Sequence, residues 1–140
     1  MSPENWAKMH GVTVHFPIAL TLCSGVLDAL GFFFPVPAIR RGLHAAGYWT
    51  MILGAAGTVP AVVSGLVMSR GVMLGHDTLR LHHLFAWPAF ALVIGLATWR
   101  ILASDFTARK AHGGYLVAAG VASVLIMAAG YYGGELMLGH

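Results

Sequence analysis

The sequence predicts an all-α, integral membrane four-helix bundle, and three observations carry that prediction. The chain has 140 residues, of which 58% are hydrophobic and only 9% charged, with a mean hydropathy of +0.76. A soluble domain has about a quarter of its residues charged, so this chain cannot cover itself with groups that favour water. Four apolar runs, each long enough for a hydrocarbon layer of ~30 Å, are separated by short polar breaks. The runs lack the alternation of strands, and in lipid only helices and closed barrels satisfy their own backbone groups.

The first span is placed at 11–34, GVTVHFPIALTLCSGVLDALGFFF. Ser2, Pro3 and Glu4 resemble a helix cap, a first-turn proline and an acid at the positive helix end, so the helix is expected to begin before the membrane. Its apolar run is too long for a signal-peptide core and no small-residue cleavage pattern follows, so it reads as a retained helix. The second span is placed at 44–69, the third at 79–103 and the fourth at 112–136, all in a single domain of residues 1–140. Pro17, Pro60 and Pro88 fall inside the first three spans and are expected to kink them. Small residues form stripes on the second helix (Gly47, Gly54, Thr58, Ala61, Gly65) and the fourth (Gly120, Ser123, Gly130, Gly134), as in close packing of membrane helices or in a gap left for a flat cofactor. Cys23 is read as a small buried hydrophobe.

Arg40, Arg41, Arg100, Arg109 and Lys110 lie on one side, against Lys8, Arg70 and Arg80 on the other. That bias makes the first side cytoplasmic and puts both termini in the periplasm of a bacterial inner membrane. The basic pI of 9.4 is an expression of this topology, with no nucleic-acid partner implied.

The two halves of the chain echo each other. His15 and His83 are 68 residues apart, and so are His44 and His112; HAAGY at 44–48 matches HGGY at 112–115 but for one residue. Met-Leu-Gly-His occurs at 73–76 and again at 137–140, an offset of 64. These features describe a duplicated helical hairpin whose copies share one orientation, related by an axis along the membrane normal. The duplication sorts the histidines into an outer set (His10, His15, His76, His82, His83, His140) and an inner pair (His44, His112). His10, His76 and His140 read as interfacial. His15 and His83 sit inside apolar runs, where a polar ring is expected to face the bundle interior and find a partner.

The pieces VHFPIAL (14–20), Asp28, a histidine early in the third helix and GGELMLGH (133–140) resemble a bacterial family of predicted four-helix membrane proteins of unknown function, DUF2231. The resemblance covers nearly the whole chain. It implies the four-helix topology and draws attention to His15, Pro17, Glu135 and His140. It implies no activity.

The residues themselves point to a b-type cytochrome-like electron-transfer subunit of a larger membrane redox complex. Two imidazoles from facing helices are what a non-covalent haem b needs, and His15 and His83 are the expected axial ligands, with His82 the alternative to His83. Arg80 is placed to pair with a haem propionate. His44 and His112 are candidates for a second haem or a quinone pocket, and Asp28 for proton chemistry; Glu135 is expected to hold His140 or a loop. Competing readings are a non-haem copper or iron protein using Met68, Met73 and Met137 with His76, His140 and Glu135, and a structural or assembly subunit without cofactor. No nucleophile–base set and no phosphate loop appears, so an accessory subunit is expected rather than an independent enzyme. The partners expected are the lipid bilayer and other subunits of the redox complex.

Overall fold

The computed structural model describes residues 3–103 and 109–138, with side chains considered for 5–103 and 112–138. It contains four helices: α1 Pro3–Phe33, α2 Pro37–Met68, α3 Asp77–Leu102 and α4 Arg109–Leu138. All four carry stretches long and apolar enough to cross a membrane. Their outward faces carry large apolar side chains, among them Val12, Phe16, Val26, Trp49, Val63, Val117 and Leu102. That surface suits lipid and not water.

The helices begin earlier than the apolar runs. The expected break at 34–42 shrinks to three residues, because Pro37 occupies the first helical turn, where its missing N–H costs nothing, and α2 carries Arg40 and Arg41 as a polar helical extension. α1 likewise starts at Pro3, well before position 11. α1, α2 and α3 each run as one helix through Pro17, Pro60 and Pro88.

The connection at 69–76 is longer and has a defined form. Gly71 N–H donates to Leu66 O (2.8 Å) and Arg70 N–H to Val67 O (3.2 Å), the paired bonds of a Schellman cap. Arg70 takes the left-handed position at φ 53°, where glycine is the usual choice, and Gly71 and Gly75 also have positive φ. Trp87 Nε1 donates to Met73 O (2.8 Å) and ties the connection to α3. The two ends of the bundle are called below the long-loop end (69–76) and the short-loop end (34–36).

α1 packs chiefly on α2 and α3 chiefly on α4; the thinner α1–α4 and α2–α3 contacts close the ring. The two hairpins are therefore the packing units, and α1 faces α3, and α2 faces α4, across the axis. Between α1 and α2 the approach is close. A Cβ on Gly47 would lie 2.7 Å from Asp28 Oδ1, and one on Gly54 2.9 Å from Thr21 Oγ1 and 3.3 Å from the Thr21 nitrogen. In lipid no hydrophobic drive pulls helices together, so such fits and interhelical hydrogen bonds hold the pair. The expected stripe on α4 behaves differently. Gly120, Gly130 and Gly134 are exposed, and a Cβ at any of them would meet nothing. The apolar core lies between α2, α3 and α4, built on Met51, Ala55, Val93, Leu96, Ala119 and Ala122.

Candidate functional site

Two polar regions occupy the bundle axis, one at each end. Towards the long-loop end is a cavity of ≈ 310 Å³ reached by all four helices. Its walls are mostly apolar and small, with Pro17, Ala61, Ala89, Phe90, Val93 and Ile126 among them, and four histidines join them: His10, His15, His82 and His83. A volume of this size is in the range of cofactor and small-molecule sites. The exposed lining residues are His15 on α1 and Gly130, Gly134 and Met137 on α4, which places the opening between those two helices.

The histidines divide in their bonding. His82 Nδ1 donates to Ala129 O (2.8 Å) and His15 Nδ1 to Gly11 O one turn back, so each keeps Nε2 as the nitrogen open to a ligand. His10 Nδ1 meets Ser64 Oγ at 3.0 Å, and its ring lies edge-on to His82 with centroids 6.4 Å apart. His83 is 7% exposed, packs beside Trp87, and its buried Nδ1 has no hydrogen-bond partner among the described residues. A buried imidazole nitrogen left unpaired is costly unless something enters to meet it.

Several expectations need correction here. His15 does not face the interior; it is exposed at the mouth of the cavity, and its partner is its own helix. His10 is not merely interfacial: its position five residues before His15 turns it inward, against Gly65 and Ser64 of α2. Arg80 is exposed and is not among the cavity-lining residues. Cys23 is exposed on α1 and not buried. Of the other candidates, His76 is exposed at the start of α3 and Glu135 is half-buried on α4. His140 lies outside the described residues.

Towards the short-loop end the axis is filled by a hydrogen-bonded cluster. Asp28 on α1 is fully buried. One of its oxygens accepts from Arg100 Nη1 on α3 and the other from His44 Nδ1 on α2 (3.1 Å). Arg100, 5% exposed, also donates through Nη2 to His44 O (2.7 Å). The His112 ring of α4 meets the His44 ring with centroids 4.5 Å apart and the Phe32 ring at 5.1 Å. The guanidinium lies near the rings of Tyr48 (5.7 Å) and Tyr115 (5.2 Å). Both diagonals of the bundle are thus joined at one depth. The repeat that pairs His44 with His112 also pairs Tyr48 with Tyr115, whereas Asp28 and Arg100 have no counterpart in the other copy.

Arg100 is the residue that sequence reasoning missed. It was read as a basic marker of the cytoplasmic boundary, yet it is buried and paired. The available signal was a charge inside the third span, near its end, at a depth close to that of Asp28, the only acid of the first span. His44 and His112 do meet, but not as haem ligands would. Two axial imidazoles would stand on opposite faces of a haem, with the macrocycle between their rings. Rings touching edge to face at 4.5 Å leave no slot for one.

Residues 7–140 match the family described as predicted membrane protein DUF2231. The chain belongs to that family. No curated protein and no solved structure matches it. Membership in DUF2231 accords with the four spans and leaves function to the sites.

Proposed function

We propose that this DUF2231 protein is a b-type cytochrome-like subunit that holds one non-covalent haem in the cavity at the long-loop end. The observation that carries the reading is the cavity itself: a cofactor-sized space inside four membrane helices, mostly apolar, with four imidazoles, Thr58 and Trp87 among its lining. The residues suit the group. His15 on α1 and His83 on α3 lie on helices that face each other across the axis, and His82 is the alternative to His83. His83 lines the cavity, and its buried Nδ1 has no hydrogen-bond partner among the described residues. In His15 and His82 a backbone carbonyl holds Nδ1 and so orients Nε2 for a ligand. Gly130 and Gly134 line the α4 side, where a Cβ would meet open space.

A haem held there by two of these imidazoles would supply one-electron transfer. The protein's own part is to fix imidazole tautomers through Gly11 O and Ala129 O, to exclude water with the Ala, Val and Phe walls, and to keep one edge accessible between α1 and α4. On this reading the electron passes to and from other subunits of a membrane redox complex. The exposed Arg40 and Arg41 at the short-loop end support reading that end as cytoplasmic. The cavity then lies in the outer half of a bacterial inner membrane, with both termini periplasmic.

Haem content of the purified full-length variants tests the assignment. His83→Ala and His15→Ala are each expected to remove most of the haem. Loss in His82→Ala with retention in His83→Ala would move the α3 ligand by one residue. Haem undiminished in all three single variants would contradict the site.

A further inference from the structure

The cluster at the short-loop end has features that packing alone does not require. Its two imidazoles come from the two halves of the repeat, and they meet beside a carboxylate in the middle of the bundle. One ligand-type atom from each of Asp28, His44 and His112 lies within 4.8 Å of the others. The set is small, mixed in nitrogen and oxygen, and drawn from three different helices.

Arg100 holds one carboxylate oxygen and the His44 carbonyl, which leaves the other oxygen turned to His44 Nδ1. These two atoms stand 3.1 Å apart, a spacing at which one ion could take both once the proton between them is released, as metal binding requires. The guanidinium charge is balanced by the carboxylate and flanked by the Tyr48 and Tyr115 rings, whose faces attract a cation. His44 keeps 21% of its side chain exposed, so the cluster has an approach from the short-loop end, while His112 is 4% exposed and closes the inner side.

We infer that Asp28, His44 and His112 form a second site, for a non-haem first-row transition-metal ion of the zinc and copper class. Imidazole nitrogen with one carboxylate oxygen suits these ions. Arg100 is a positioning residue: it orients Asp28 and touches no ligand. Water reaching past His44 completes the coordination. The site uses none of the residues of the haem cavity, and the inference stands apart from the cytochrome reading.

The test uses the full-length protein in lipid nanodiscs, stripped with chelator and titrated with Co²⁺ as a visible probe and with Zn²⁺ in competition. Metal per chain, the cobalt d–d spectrum and haem are read on the same samples. The expected result is one Co²⁺ per chain, displaced by Zn²⁺. Occupancy should fall sharply in His44→Ala and in the volume-conserving His112→Gln. Occupancy should fall as sharply in Asp28→Asn, which removes the carboxylate ligand. His15→Ala and His83→Ala should bind cobalt as the wild type does. No cobalt signal in wild type, or a signal that survives the His44, His112 double change, overturns the inner site whether or not haem is present. Cobalt bound with haem absent would instead count against the cavity assignment alone.

Discussion

Asp28 and Arg100 pair in a setting where neither charge can reach water: one is fully buried and the other 5% exposed. Burying two charges is costly, and the geometry must return that cost through the ion pair and every remaining hydrogen bond. Here it does, because the second oxygen takes His44 and the second guanidinium nitrogen takes the His44 carbonyl. Removing one partner leaves the other charge stranded. Arg100→Met is therefore expected to lower unfolding stability by about 3–5 kcal/mol. The double change Asp28→Leu, Arg100→Met should cost clearly less than the two single changes summed. Denaturation of the purified variants in one detergent would show this, and simple additivity would mean that the pair contributes no coupling.

At the scale of the helix, the two glycine stripes make opposite predictions although they look alike in sequence. Gly47→Ala puts a methyl 2.7 Å from Asp28 Oδ1, against the wall that holds the carboxylate in register, and Gly54→Ala meets both the Thr21 hydroxyl and its backbone nitrogen. Each should destabilise by about 1–3 kcal/mol, the usual cost of overpacking. Gly120→Ala meets open space and should leave the melting temperature unchanged or raise it. Equal losses at Gly47 and Gly120 would contradict the packing described. The sequence carried the four spans because hydropathy and length decide them, and it carried the His44–His112 meeting because a repeat of hairpins puts equivalent positions at equal depth. It did not carry which stripe packs, since a glycine reads the same against a helix as against a cavity. It also hid Arg100 and His10. A basic residue near a span end reads as a boundary marker, and the rotation that turns His10 inward and His15 outward depends on how α1 settles on α2.

For the whole molecule, the proposed direction across the membrane rests on the charge bias. Cysteine at the exposed positions 39 and 72, in a background with Cys23 replaced, reports it. An impermeant thiol reagent should label position 72 in intact spheroplasts and position 39 only after permeabilisation. The reverse pattern would invert the assignment of the ends and place the histidine cavity in the cytoplasmic half. The central claim is that the cavity between the hairpins holds haem, and the most direct measurement is the pyridine haemochrome of the wild-type protein purified from membranes supplied with haem and its native partner subunits. One b-type haem per chain, with the low-spin spectrum of two imidazole ligands, is the predicted result. A wild-type protein that carries no haemochrome signal under those conditions would contradict it.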